Sequence, residues 1–288
     1  MTALACIGGE EVYRQWRAGH VEAEALGPRQ TPFGTSAEVF RVPDESQPFY
    51  LLPRHGPGKR NTPLDKVNYR ANIYALKDLG VRSVLAWGPC EAITHNIAVG
   101  DLVLPDDLID QTHLRPRTFF DDSPLGFLRQ FPVFCTTLRQ VVCEVLEEMK
   151  LVYHGTGVAA VCEGPRHRTP AEVRALAGMG AQIVTQSFAP ENFLARELKM
   201  CYAPVCYVVS YAETGSRHRP FSTGELFAEL SEAGQADRLA GVVGSMSQIA
   251  RNAALRVSQG PADCECADAM ASNIRRYDLP DDWRKWFK

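Results

Sequence analysis

Arg54 and His55 stand side by side ahead of Gly56-Pro57-Gly58, and the run Phe49-Tyr50-Leu51-Leu52 before them reads as a buried strand. A cation and an imidazole in a Gly/Pro-rich loop at a strand end predict an anion site, since backbone N–H groups and positive charge converge at such a turn. Two further basic clusters, Arg166-His167-Arg168 and Arg217-His218-Arg219, suit a compact anionic ligand or solvent. Nine cysteines in 288 residues are too sparse for a disulfide scaffold. The one close pair, Cys264 and Cys266, is separated by one residue rather than two, so no metal is expected. Cys90, Cys135 and Cys162 read as small buried apolar side chains.

The elements that must hold these groups alternate. Leu4 to Gly9 reads as a strand ending in a sharp turn, and Asn68 to Leu79 as a helix closed by Gly80. Val81 to Trp87 reads as a parallel-type strand broken by Gly88-Pro89, and Asp101 to Leu104 as another strand. A helix over Cys135 to Met149 and a strand over Val158 to Cys162 follow. Thr169, Pro170 and Glu172 together mark a helix start. Strands over 181–184 and 203–209 flank a helix over 191–198, and Thr223 opens a long helical region through Leu255. The pattern predicts an α/β fold: a single domain over residues 1–260, with a mixed, mostly parallel sheet surrounded by helices. Residues 261–288 are expected as a C-terminal extension, its last part from Asp278 with Pro280 and two tryptophans packing on the surface or on a neighbour.

Composition narrows the function. The formal charge of -3 leaves no basic excess for a nucleic-acid backbone, and 45% hydrophobic residues is enough for a sizeable core. No stretch approaches the roughly 20 apolar residues of a membrane helix, and the start lacks a secretory pattern, so a cytoplasmic protein without nucleic-acid or membrane partners is expected.

The ordered series Ile7-Gly8-Gly9, Thr31-Pro32-Phe33-Gly34, Arg54-His55-Gly56, Lys66 to Ile73, Gly100-Asp101, Ile109 to Thr112, Arg115-Pro116, Glu163-Gly164-Pro165-Arg166, Pro190-Glu191 and Cys201-Tyr202-Ala203 resembles the landmarks of the trimeric purine nucleoside phosphorylases, and most of all their methylthioadenosine phosphorylase branch. The resemblance spans roughly residues 4 to 255. It implies a homotrimer with sites near subunit interfaces, a small-molecule nucleoside as substrate, inorganic phosphate as co-substrate and no cofactor. In such chemistry phosphate meets the anomeric carbon as the glycosidic bond breaks and the departing purine is stabilised by a hydrogen bond or a proton at N7, so positioning and charge stabilisation do most of the work. By resemblance Arg54, His55 and Ser187 bind phosphate. His167 takes the place of an aromatic residue stacked on the purine, and Gln186 that of a methionine against the ribose. Cys143, Cys201, Cys206 and Cys264-Glu265-Cys266 resemble a disulfide-bearing branch of the family, although a bridge across one residue is strained and free thiols are expected in a reducing cytosol.

The departures from the family fall at the site. Glu10 and Glu11 follow Gly9 where the family carries a phosphate-binding Thr or Ser, and Gly88-Pro89 stand for its Thr-Ala phosphate turn, which puts Pro89 at the substrate. Ser210 and Ala212 occupy the places of two base-binding aspartates. Serine is a poor acid, so Glu213 is expected to take over proton donation beside Ser210. Three readings stay open: a divergent phosphorylase using Arg54, His55 and Ser187; a hydrolase in which Glu10 or Glu11 orients water; and a nucleoside-binding homologue without turnover.

Overall fold

The computed structural model describes residues 3–17, 19, 21–45, 47–56, 62–94, 96–213, 234–259 and 263–287. Its strands are β1 (Ala3–Gly8), β2 (Glu24–Thr31), β3 (Gly34–Val42), β4 (Phe49–Pro53), β5 (Val81–Ala92), β6 (Leu102–Val103), β7 (Asp107–Gln111), β8 (Tyr153–His154), β9 (Val158–Cys162), β10 (Ile183–Thr185) and β11 (Cys201–Tyr211). They form one sheet in the order β2-β3-β4-β1-β5-β10-β9-β7, with β11 on β5 and the short β6 and β8 beyond it. β1 is parallel to β4 and β5, β11 to β5, and β9 to β10 and β7, whereas the β2–β3 hairpin, β3–β4 and β10–β5 are antiparallel. The expected mixed, mostly parallel α/β sheet is therefore present.

Alternation along the central strands builds a core on each face. Ala5 and Ile7 of β1 and Val84 and Ala86 of β5 join one apolar cluster with Tyr69, Ile73 and Leu76 of α2 (Tyr69–Asp78) and Leu194 and Ala195 of a short helix over 191–197. Leu4, Cys6, Leu85 and Trp87 face the other way, onto Val142 and Val145 of a helix over 136–148 and Ile249 and Ala253 of one over 246–259. Truncating one such fully buried leucine costs about 2–5 kcal/mol.

In chain order the helices are α1 (Glu10–Arg17), α2, α3 (Thr136–Glu148), α4 (Pro170–Gly178), α5 (Glu191–Glu197), α6 (Gln235–Gly244), α7 (Met246–Gln259) and α8 (Ala271–Tyr277). The Asn68 side chain caps α2, and Thr169 with Glu172 forms a capping box on α4. Two expectations need correction. β5 runs through Gly88-Pro89 rather than stopping at Trp87. The long helical region after Thr223 is interrupted at Ser245 into α6 and α7, and its part over 223–233, like Arg217-His218-Arg219, lies outside the described residues.

Residues 263–287 lie on the chain's own surface. Met270 and Trp286 are buried, Trp283 stands over Tyr74 at 4.7 Å, Phe287 meets Phe33 at 5.2 Å, and Arg284 Nη2 reaches Asp78 at 2.7 Å. Each such aromatic pair adds about 0.5–1.5 kcal/mol beyond its buried area.

Candidate active site

β5 changes partners at Pro89. β1 pairs with it as far as Ala86, β10 takes over from Cys90, and β11 pairs along almost the whole strand. Since a strand has only two edges, β1 and β10 share one of them in turn, and the sheet forks at Gly88-Pro89. Proline is tolerated there because the forked edge has no neighbouring strand to receive an N–H. The carbonyls at the fork are met by side chains: Arg54 Nη1 donates to Trp87 O at 3.3 Å and Thr185 Oγ1 to Pro89 O at 2.8 Å.

A cavity of about 480 Å³ opens in this fork. One bank carries Gly9, Glu10, Glu11, Arg54 and His55 from the ends of β1 and β4; the other carries Cys162, His167, Gln186 and Ser187 from the ends of β9 and β10. Carboxyl ends of strands where sheet order splits are the usual ligand sites of α/β proteins.

Arg54 is fixed before any ligand arrives. Its Nε and Nη2 donate to Glu191 Oε1 and Oε2 at 2.8 and 3.2 Å, both side chains are 1% exposed, and Tyr202 Oη donates to Glu191 Oε2 at 2.8 Å. Burial works against the guanidinium charge, yet Glu191 more than offsets it and holds the Arg54 pKa above its ordinary value. Of the five guanidinium N–H groups, three are thus engaged and two remain. His55 Nδ1 bonds the carbonyl of Thr62 at 2.7 Å, so this nitrogen carries the proton. Burial, then Arg54, lowers the His55 pKa. The neutral ring offers Nε2 as an acceptor.

Of the two acidic neighbours, Glu10 turns outward toward Arg14 at 3.3 Å, while Glu11 Oε1 accepts the backbone N–H of Gly9 at 2.8 Å. Burial raises the Glu11 pKa, against the pull of the backbone N–H groups of Glu11 and Gly9 and of Arg54. Ser187 presses on Gly88: a Cβ there would stand 2.6 Å from Ser187 Oγ, so the hydroxyl missing from position 88 is matched by one arriving from the opposite bank.

Beyond the fork, Glu91 lines the cavity and pairs with His167, whose Nδ1 lies 2.7 Å from Glu91 Oε1. Burial raises the Glu91 pKa; His167 opposes this, and the charge of Glu213 adds to it. Ser210 is 2% exposed and faces Glu91 without a full hydrogen bond of its own. Neither Ser210 nor Glu213 lines the cavity, whereas Val209 does. Pro89 and Gln186 both line it, and Gln186 Oε1 fills the space a side chain at Gly164 would need.

Arg115 braces this bank from behind. Its Nη1 donates to the carbonyls of Gln186 and Ala189, each at 2.8 Å, and its Nε to Glu163 at 2.7 Å. The landmark residues Arg115 and Glu163 thus set the turn that presents Gln186 and Ser187. Sequence reasoning did not assign Glu91 because it ended the strand at Trp87, and it saw Glu191 only as a helix start; no short motif links Glu191 to a residue 137 positions away.

Residues 22–243 match the family model described as the phosphorylase superfamily. The chain is 36% identical over 229 residues to a probable S-methyl-5'-thioinosine phosphorylase of Methanothermobacter thermautotrophicus, covering 80% of this chain and 78% of that one. It is also 36% identical over 242 residues to the 6-oxopurine nucleoside phosphorylase of Pyrococcus furiosus, covering 81% and 89%. Among solved structures, the methylthioadenosine phosphorylase of Schistosoma mansoni in complex with adenine superposes with a TM-score of 0.80 at 24% identity, over 97% of this chain and 100% of that one.

Proposed function

The chain belongs to the phosphorylase superfamily, and on that premise we propose that it cleaves the N-glycosidic bond of a purine nucleoside with inorganic phosphate, releasing base and pentose 1-phosphate. One observation carries the reading: a single cavity holds the fixed Arg54 guanidinium with His55 and Ser187, and also the protonatable Glu91–His167 pair. A phosphate oxygen attacks C1′ as the C1′–N9 bond breaks, the bonding electrons pass to the purine, and N7 takes the proton held between Glu91 and His167. Arg54 is the positioning cation, with its two remaining N–H groups toward phosphate. His55 Nε2 accepts from a phosphate or sugar hydroxyl. No cofactor enters.

A 6-oxopurine is the favoured base. Ser210 and Ala212 stand where a carboxylate would be needed to hold an exocyclic amino group, and neither supplies one. The two relatives named above for 6-oxopurine or methylthioinosine chemistry support this choice. A homotrimer is part of the proposal, supported by Leu114, Phe127 and Phe131, which are 68, 91 and 87% exposed and so suit a partner face. Among the described residues no helix is long and apolar enough to cross a membrane.

A second reading has one observation in its favour. The Glu11 carboxylate, held on Gly9 N–H, could take a proton from water in a hydrolase. Incubation with inosine, methylthioinosine, methylthioadenosine and adenosine, with and without phosphate, separates the two. Phosphorolysis requires that base release stop when phosphate is removed; release that continues unchanged supports hydrolysis, and none from any substrate refutes both.

A further inference from the structure

The fold brings together four thiols that the sequence separates widely. Cys135 caps the start of α3, Cys201 opens β11, and Cys264 and Cys266 flank the first residue of the turn over 265–268. The sulfur atoms of all four lie within 4.8 Å of one another, with Cys201 Sγ and Cys264 Sγ 3.4 Å apart. Cys135 and Cys201 are buried and the other two half-buried, and none lines the cavity in the sheet fork.

We propose that Cys135, Cys201, Cys264 and Cys266 form a structural zinc site. A tetrahedral ion with Zn–S bonds of about 2.3 Å sets its four sulfurs about 3.8 Å apart, a spacing that matches this cluster after small side-chain adjustments. Four thiolates and no water fill the coordination sphere, which suits a structural site rather than a catalytic one. Soft sulfur ligands in tetrahedral array select zinc over hard cations.

The surroundings fit a cluster with net negative charge. Leu138 N–H at the α3 N-terminus donates to Cys135 Sγ at 3.4 Å, an outer-shell bond to a ligand sulfur. The backbone is already pinned at two ligand segments: Cys135 N donates to Tyr202 O at 2.9 Å, and Thr137 Oγ1 to Asp263 O at 2.6 Å. An ion here would join α3, β11 and the C-terminal segment in one cross-link, and its binding free energy would add to folding. A Cys-x-Cys pair alone gives no reason to expect zinc. The reason comes from Cys135 and Cys201, which only the packing of α3 beside β11 supplies. The inference does not depend on the reading of the cavity.

The test uses the full-length protein purified anaerobically with a non-thiol reductant. Elemental analysis is expected to find about one zinc per chain retained through desalting. After chelation, Co(II) is expected to give thiolate charge-transfer absorption and the intense d–d bands of a tetrahedral site, both abolished by zinc. The four cysteines should resist iodoacetamide with zinc bound and react after its removal, read by peptide mass spectrometry. The Cys264→Ser/Cys266→Ser variant should lose these bands and the retained zinc. The proposal is overturned by an absence of retained zinc together with no cobalt spectrum, by a disulfide joining any two of the four in protein isolated with zinc present, or by a double variant that keeps the full cobalt spectrum.

Discussion

Glu11 Oε1 accepts the backbone N–H of Gly9 at 2.8 Å, which places a carboxyl group on the turn after β1, at the wall of the cavity that Arg54 also lines. An ionised carboxylate there repels phosphate, whereas a protonated one can donate to it. Because burial raises the Glu11 pKa, the neutral form persists above the ordinary carboxylate range. The KM for phosphate should therefore be lowest below the folded-state pKa of Glu11 and rise as pH climbs through it. Glu11→Gln should flatten that rise and lower the phosphate KM at alkaline pH by about ten-fold, a change near 1.4 kcal/mol. A Glu11→Gln variant whose phosphate KM still rises with pH as in the wild type would show that Glu11 does not set this dependence.

The Glu91–His167 pair carries a separate pH signature. Burial keeps the Glu91 carboxyl protonated above its usual range, so an acid that protonates the departing purine works below that pKa and fails as pH rises through it. Glu91→Gln should lower kcat by about 10²-fold and remove the alkaline fall it causes, with nucleoside KM little changed. His167→Ala should lower kcat less, since Glu91 remains. Full-rate turnover in Glu91→Gln, measured over the pH range, would return the acid to Glu213.

Arg54 and Glu191 should behave as one unit. Glu191→Gln leaves a buried guanidinium without its counter-charge, and the cost in stability should be about 3–5 kcal/mol, seen as a lowered denaturation midpoint at unchanged m-value. Arg54→Lys should keep more stability than Arg54→Ala yet raise the phosphate KM sharply, because an ammonium cannot hold Glu191 and phosphate together through one planar fork. Equal phosphate KM values in wild type and Arg54→Lys would contradict the assignment.

For the proposed trimer, light scattering of the wild type should give three times the chain mass. Phe127→Asp/Phe131→Asp should shift the protein toward monomer with its helix and strand content retained. A wild type that is monomeric at working concentrations would sink this part of the reading.

Much of the scaffold was legible because local rules dominate it. The Thr169-Pro170-Glu172 start of α4 and the strand over 158–162 follow from short-range signals that tertiary packing leaves alone. The course of β5 was not legible, since proline breaks a strand only where its missing N–H faces a neighbour, and the fork at Pro89 is a property of the whole sheet. The same fork hid Glu91. Arg54 could be singled out from its loop, but its bond to Glu191 depends on α5, packed against α2 and β11, bringing its first residue to a side chain 137 positions earlier. Likewise Glu10 and Glu11 could not be told apart until α1 turned one outward and the other onto Gly9.

In the proposed reaction phosphate is the nucleophile, held in the fork. ³¹P NMR of a reaction containing inosine and inorganic phosphate tests this directly. The expected spectrum gains a pentose 1-phosphate resonance in step with hypoxanthine release, and Arg54→Ala loses both. Hypoxanthine accumulating with free ribose, while the phosphate signal stays constant, would contradict it.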